Sequence, residues 1–405
     1  MAKNVIFCAD GTWNGTGGAY EIADANPTNV LKLFRNLAGY SGQVPDAAEM
    51  EITAPAEPGA PEQRAKYLHG VGDTSNMLAQ MAEGALGLGL ICRVLRGYTY
   101  LSRNYAAGDA IFITGFSRGA YTARALGGLI SAMGLLDWKG LGLNPGGSDD
   151  NGYKYAASAW AAYQVKMAGS SGQNSPLGRI EDAFADAPDF LSWLAYRPKY
   201  IADVGIKTIG VWETVGALGI PEVNQADTER LDLLRFCNIM LSDKVANGFH
   251  AIAADEQRVD FSPTLWDSRA GVTQVFFAGA HSDVGGGYPL GDESLLSGIA
   301  LGWMQRQLRG TGMRIAGMPN IGAGDALGPM HAPWLEAQFF KRPTSTRIFP
   351  AKSGSGITCD AALNARLGQV VVTVNPNSAA QDVSGPYVPV ALIQAGYINA
   401  TLAAA

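Results

Sequence analysis

The stretch AIFITGFSRGA at residues 110–120 decides the fold class. It opens with a largely apolar run, which predicts a buried strand ending at Gly115. Gly115, Ser117 and Gly119 then match the pattern G-x-S-x-G, and residues 120–133 have the spacing of a helix. A strand, a tight turn and a helix in this order predict a nucleophile elbow, with Ser117 as the nucleophile.

An elbow of this kind also predicts where an oxyanion would be bound. The helix that follows the serine offers backbone N–H groups and a favourable dipole to a developing negative charge. The N–H of Arg118 is one expected donor, and the second is expected from a loop after an early strand. Asp10, Gly11 and Thr12 follow the apolar run 4–9, so Gly11 and Thr12 are candidate donors. The role of the Asp10 carboxylate stays open at this point.

The rest of the chain alternates short apolar runs with helical patterns, which predicts a mostly parallel sheet covered by helices on both faces. Predicted strands lie at 4–9, 110–115, 207–211, 274–279 and 370–374, and the Pro- and Gly-rich residues 41–64 are predicted to be a surface loop. This pattern favours the α/β-hydrolase class. We see neither a linker nor a repeat, so we expect residues 1–405 to form one domain, with 137–200 as a helical cap or lid inserted in it.

A serine nucleophile needs a base, which is normally a histidine. His281 has the best setting of the histidines after Ser117, because it directly follows a predicted strand and precedes a run of glycines. Loops at the carboxyl ends of strands are where this fold class builds its sites. His331 lies in a loop, and His250 lies in an apparently helical run at 245–254. Both stay open as alternative bases.

The base in turn needs a carboxylate that orients its ring. Glu213 follows the predicted strand 207–211 and lies between Ser117 and His281 in the chain, which is the order of this fold class. Glu213 is therefore the predicted acid. Asp283 and Asp255 are the alternatives.

The composition excludes several other function classes. Of the 405 residues, 47% are hydrophobic and only 16% are charged, which predicts a large buried core. The net charge of −6 provides no electrostatic footprint for nucleic acid, so we expect no nucleic-acid partner. The four cysteines are far apart and form no CxxC pair, which argues against a zinc site. We expect no metal and no cofactor.

Two features of the sequence bear on location. The N-terminus reaches Asp10 before any long apolar region, so we expect no signal peptide. No uncharged apolar run reaches the roughly 18–20 residues that a membrane-spanning helix needs. These features predict a cytoplasmic protein, or one that leaves the cell without a signal peptide.

Five motifs carry a resemblance to a known family. They are residues 8–14, 115–120, 211–216, 250–256 and 281–288. In order and content they resemble the uncharacterised α/β-hydrolase domain family whose best-known members are phospholipase effectors of bacterial type VI secretion. The resemblance implies an α/β-hydrolase fold and a Ser–acid–His triad that acts on carboxylic esters. The family usually has Asp where this chain has Glu213, which is the one departure that matters.

From these observations we expect a serine ester hydrolase that works through an acyl-enzyme, with lipase or phospholipase activity. A soluble esterase or thioesterase is one alternative, and a binding module that keeps the fold without catalysis is another. The resemblance implies a phospholipid substrate, a membrane surface on which it is met, and a secretion or immunity partner.

Overall fold

The computed structural model describes residues 2–11, 26–40, 49–70, 86–146, 150–169, 188–215, 241–335, 344–375 and 381–403. The strands are β1 (Asn4–Ala9), β2 (Glu49–Ala54), β3 (Gln63–Leu68), β4 (Ala110–Phe116), β5 (Leu135–Leu136), β6 (Tyr200–Ile201), β7 (Ile206–Trp212), β8 (Val245–Ala253), β9 (Val272–Phe277), β10 (Met330–His331), β11 (Thr358–Cys359), β12 (Val370–Val374) and β13 (Val383–Pro386). The helices are α1 (Asn29–Arg35), α2 (Leu86–Asn104), α3 (Arg118–Met133), α4 (Asp150–Gly169), α5 (Pro188–Trp193), α6 (His281–Gly285), α7 (Leu295–Gly310), α8 (Ala361–Arg366), α9 (Val390–Gln394) and α10 (Ala400–Ala403).

Eight strands form the central sheet, in the order β11-β9-β8-β7-β4-β1-β3-β2. All neighbouring pairs are parallel except β2 and β3, which are antiparallel. The strand order reverses at β1, where Ala9 lies opposite Leu68 of β3 on one side and opposite Gly115 of β4 on the other. Open α/β sheets bind their ligands at the carboxyl ends of strands beside such a reversal. The ends of β1 and β4 therefore mark the expected place of the site.

Helices cover both faces of this sheet, as β1 illustrates. Val5 and Phe7 pack into one core together with residues of α2, α3 and α4. Ile6 and Cys8 point to the opposite face and pack with residues of α1 and α7. All four side chains are fully buried, because a parallel strand is covered on both faces. The structure thus confirms the predicted α/β class with a mostly parallel, helix-flanked sheet.

Two of the sequence predictions are wrong. The segment 41–64 is not a surface loop, because its described part contains β2 and the start of β3. The alternation in β2 is that of an edge strand, with Met50 and Ile52 buried and Glu51 exposed. The run 245–254 is not helical, because Val245–Ala253 forms β8. A strand that is buried on both faces loses its two-residue period and cannot be told from a buried helix by pattern alone.

Part of the predicted cap at 137–200 is described, and it packs on the main core. Trp160 and Tyr163 of α4 are buried in the same hydrophobic cluster as residues of α2 and α3. Residues 147–149 and 170–187 lie outside the described ranges. That this segment covers the site stays a prediction. Among the helices of the described ranges, none combines the length and the apolar character of a membrane span.

The contact between β1 and the start of α3 leaves no room for a side chain at Gly119. A Cβ atom built on Gly119 would overlap the carbonyl oxygen of Ala9 and lie 2.6 Å from the carbonyl oxygen of Asp10. Both are backbone atoms at the end of a central strand, so they cannot move aside cheaply. The glycine therefore allows the nucleophile turn and the first strand to approach each other.

We predict that Gly119→Ala lowers the free energy of unfolding by about 1–3 kcal/mol, the usual cost of overpacking a tight interior. Urea denaturation measures this change. Gly298→Ala is the matched control, because Gly298 is also helical and a Cβ built on it meets nothing within 4 Å. That control should raise the stability by about 0.5–1 kcal/mol through helix propensity. Equal stability of the two variants would contradict the close approach.

Candidate active site

Ser117 occupies the sharp turn between β4 and α3. Its φ of 56° and ψ of −123° put it in the left-handed region, which costs a non-glycine residue on the order of 1–3 kcal/mol. Its backbone N–H donates to the carbonyl oxygen of Trp212 at 3.2 Å, which ties the turn to the end of β7. A Cβ on Gly115 would overlap the carbonyl of Gly119, so the elbow needs both glycines.

His281 and Glu213 meet directly at the same edge of the sheet. His281 begins α6 just after β9, and Glu213 follows β7. The distance from His281 Nδ1 to Glu213 Oε2 is 3.0 Å. An ionised carboxylate can only accept, so Nδ1 carries the proton and Nε2 is left as the proton acceptor. The structure therefore brings together the acid and the base that the sequence predicts.

The Glu213 carboxylate is fully buried and has three kinds of donor. The Ala253 backbone N–H donates to Oε1 at 2.7 Å. The Arg347 guanidinium forms a fork, with 3.0 Å to Oε1 and 2.7 Å to Oε2. Burial alone would raise the pKa of Glu213, but the Arg347 charge and the hydrogen bonds from His281 and Arg347 outweigh burial and hold the pKa well below its ordinary value. Glu213 is therefore ionised at neutral pH.

The His281 ring packs against two aromatic side chains, and its backbone N–H is hydrogen-bonded. The ring centroids of Phe116 and Phe261 lie 4.6 and 4.9 Å from that of His281. The His281 backbone N–H donates to Glu256 Oε2 at 3.2 Å. Burial lowers the pKa of His281 below its ordinary value, and the neighbouring Glu213 carboxylate offsets this only in part. The imidazole is thus neutral at pH 7, the state that a general base requires.

The structure describes two of the three predicted oxyanion donors, Arg118 and Gly11. Arg118 is the first residue of α3, which places its N–H at the helix N-terminus beside Ser117. Burial lowers the pKa of its guanidinium to about 10. Gly11 lies next to the serine, since a Cβ built on it would be 3.1 Å from Ser117 Cβ, but its N–H donates to Asp10 Oδ1 at 2.7 Å. Thr12 lies outside the described residues.

Asp10, whose role the sequence left open, anchors the end of β1. Its carboxylate is 1% exposed and accepts hydrogen bonds from Tyr67 at 2.6 Å and from Thr28 at 2.5 Å, besides that from Gly11. The Arg93 guanidinium donates to the Asp10 carbonyl. Burial and the Asp10 carboxylate raise the pKa of Tyr67 well above its ordinary value, so the phenol keeps its proton and remains a donor.

The alternative base His331 belongs to a second pair. Its Nδ1 lies 2.6 Å from Asp283 Oδ1, its Nε2 lies 3.4 Å from Glu293 Oε2, and its ring stacks on Tyr288 with centroids 3.5 Å apart. Burial would lower the pKa of His331, but the two carboxylates outweigh burial and raise it. The predicted alternative acid Asp283 therefore pairs with the ring of His331, whereas Glu213 pairs with the ring of His281.

The alternative base His250 lies inside β8 and is fully buried. Its Nε2 accepts from the Thr214 N–H at 3.4 Å, and its Nδ1 lies 3.3 Å from Gln274 Oε1. Burial lowers its pKa to about 3. Its contacts are those of a structural histidine. The alternative acid Asp255 accepts hydrogen bonds from the Gly279 N–H and the Tyr387 hydroxyl at 2.7 and 2.8 Å.

The sequence does not predict Arg347, the cation that pairs with Glu213. Arg347 lies in the segment 344–350, which forms no helix or regular strand, 134 positions after Glu213 in the chain. No local motif surrounds it. Only a prediction of contacts between distant positions could have placed a buried arginine beside this carboxylate.

The known proteins to which this chain is similar are longer than it is. The uncharacterized protein YEL023C of Saccharomyces cerevisiae is 29% identical over 153 residues, which cover 34% of this chain and 19% of that protein. A crystal structure of an uncharacterized protein from Pseudomonas aeruginosa has a TM-score of 0.36 at 18% identity and covers 78% of this chain and 46% of that one. A Tle1 effector bound to the VgrG spike of a type 6 secretion system has a TM-score of 0.32 at 15% identity, with 72% and 52% covered. The chain thus spans about half, or less, of the length of each.

A family model shows which family this chain belongs to. The catalytic-domain model of Tle1-like phospholipase effectors of type VI secretion matches residues 3–307. That range includes the elbow, Glu213 and His281, and it covers most of the chain. The chain therefore belongs to the family of Tle1-like phospholipase effector catalytic domains.

Proposed function

We propose that this chain is a serine ester hydrolase in which Ser117, His281 and Glu213 form the catalytic triad. The observation that carries the proposal is the Glu213–His281 hydrogen bond of 3.0 Å at the sheet edge where the strained elbow presents Ser117. Phe116, which precedes the serine, packs against the His281 ring. The family membership supports the same chemistry.

The expected reaction has two steps. Ser117 Oγ attacks the ester carbonyl carbon while His281 Nε2 takes the hydroxyl proton, and Glu213 stabilises the resulting imidazolium. The oxyanion is bound by the Arg118 N–H, with Gly11 or Thr12 as the second donor. His281 then returns the proton to the leaving alcohol as the C–O bond breaks, which leaves an acyl-enzyme. Water, deprotonated by His281 Nε2, then attacks the acyl carbon, and His281 returns the proton to Ser117 Oγ as the ester bond breaks and the acid leaves.

The Gly11 N–H needs a local change before it can donate to an oxyanion. It is hydrogen-bonded to Asp10 Oδ1 in this structure. Either the Asp10 carboxylate rotates when substrate binds, or the second donor is the N–H of Thr12. In this structure Asp10 anchors the end of β1, because its carboxylate accepts hydrogen bonds from Tyr67 and Thr28.

Phospholipids are the proposed substrates, because the family is one of phospholipase effectors. A membrane surface is then where the enzyme meets its substrate, and export without a signal peptide is part of the proposal. The family is one of type VI secretion effectors, so we propose a spike protein of the secretion machinery as one partner and an immunity protein as another. A soluble esterase or thioesterase that uses the same triad is the second candidate.

We predict that Ser117→Ala and His281→Ala each lose at least about 1,000-fold in kcat/KM, because removal of either group disables the same covalent step. The assay compares a short-chain chromogenic ester with phospholipid vesicles. Ser131→Ala, on the same helix as the elbow, is the control and should retain activity. Full activity of Ser117→Ala would refute the proposal. Hydrolysis of the soluble ester without hydrolysis of vesicles would favour the soluble esterase.

The pH profile identifies the base. His281 acts as a base only when neutral, and its pKa is lowered, so the acid limb of kcat/KM should be centred below pH 6.5. The pKa of His331 is raised, so an acid limb centred above pH 6.5 would assign the base to His331 and contradict the triad. His331→Asn in the same measurement should leave the limb where it is in the wild type.

A further inference from the structure

We propose that Arg347 is a positioning residue of the hydrolase: its guanidinium grips both oxygens of the Glu213 carboxylate and so holds Oε2 where His281 Nδ1 needs it. This inference rests on the triad proposed above and adds a residue beyond the 3–307 range of the family model.

Arg347 is fixed by more than its carboxylate partner. Its Nη1 donates to the Ala253 carbonyl at 2.7 Å, and its Nη2 donates to the Phe261 carbonyl at 2.5 Å. The side chain is 3% exposed. The planar guanidinium therefore connects the end of β8, the 3₁₀ turn Val259–Phe261 and the acid. Phe261 also packs edge-on against the His281 ring, so the same 3₁₀ turn contacts both Arg347 and His281.

A buried carboxylate needs compensation for the water it has lost. Without Arg347, the fully buried Glu213 would have the Ala253 N–H and a neutral imidazole as its remaining partners among those described. Burial of an ionised group with so few donors favours uptake of a proton. The bidentate geometry matters as well as the charge, because two parallel N–H···O bonds fix the plane of the carboxylate, which a lysine ammonium cannot do.

The fork also suits a glutamate at position 213. Glu has one more rotatable bond than Asp, so its carboxylate samples more orientations unless something fixes it. Oε1 accepts from both Ala253 and Arg347, and Oε2 accepts from both Arg347 and His281. Four contacts on two oxygens remove that freedom. Glu213 also has a φ of 44°, which is left-handed.

The net charge of the three groups leads to a prediction that a purely structural role would not make. With Arg347, the unit of guanidinium, carboxylate and neutral imidazole has no net charge, so an added proton makes it positive. Without Arg347, the pair is negative and an added proton makes it neutral. The first proton is then taken up more readily, whichever of Glu213 and His281 receives it, since coupled groups titrate as a pair. Once the pair has taken up that proton, it no longer acts as the base for Ser117.

We predict that Arg347→Met moves the acid limb of kcat/KM up by about one pH unit, the lower end of what a nearby charge produces. It should also lower kcat on the order of 100-fold, as a misplacement of about 1 Å does. Arg347→Lys keeps the charge but not the fork, so it should lose kcat with a smaller shift of the limb. KM should change little in both variants, because Arg347 orients the acid and does not contact substrate.

Arg366→Met is the matched control, because Arg366 is also fully buried and in the same C-terminal part of the chain. Its Nη1 donates to the carbonyls of Ala326 and Gly328 at 2.7 and 2.6 Å. Arg366→Met should lose stability and keep the wild-type acid limb. A folded Arg347→Met variant with wild-type kcat and acid limb overturns the proposal. If Arg347→Met does not fold, Arg347→Lys decides, and an unchanged kcat overturns the proposal.

A titration of the His281 ring followed by nuclear magnetic resonance separates this proposal from the hydrolase proposal. It needs no turnover and reports proton uptake by the Glu213–His281 pair directly. If the wild-type protein hydrolyses no ester, the hydrolase proposal is wrong. The proposed positioning role of Arg347 would still be tested, because it predicts that the midpoint of the titration rises in Arg347→Met. An unchanged midpoint would contradict that role.

Discussion

The buried carboxylate of Glu213 is the constraint on which the site depends. Taking an ionised carboxylate out of water costs several kcal/mol unless charges and hydrogen bonds replace the lost hydration. Here the replacement comes from three separate parts of the chain: the Ala253 N–H at the end of β8, the Arg347 guanidinium, and the ring of His281 at the start of α6. The site is therefore assembled only when all three segments have reached their places in the fold.

The parallel register of the sheet brings those segments together. Ala9 of β1 lies opposite Gly115 of β4, and Gly115 lies opposite Val211 of β7, so these strands end at one edge. Backbone strain is concentrated there too. Of the three non-glycine residues with positive φ in the described part of the chain, two are Ser117 and Glu213. Strain of this kind persists where the surrounding structure holds it, and it is common at active sites.

How much the sequence could predict depended on how local each feature is. The elbow, Glu213 and His281 each follow a short apolar strand, and that signal lies within a few residues of the site. His250 was assigned to a helix because β8 is buried on both faces and shows no alternation. Arg347 could not be predicted, because its contact with Glu213 spans 134 positions and its segment has no regular structure.

Covalent labelling with a long-chain alkyl fluorophosphonate, read by mass spectrometry of the intact chain and of its peptides, tests the central claim most directly. The reagent reacts with a serine only where a base activates the hydroxyl and an oxyanion site accepts the phosphoryl oxygen. We predict a single adduct on Ser117, lost in His281→Ala. An adduct on another residue, or an unlabelled Ser117 in the folded protein, would contradict the account.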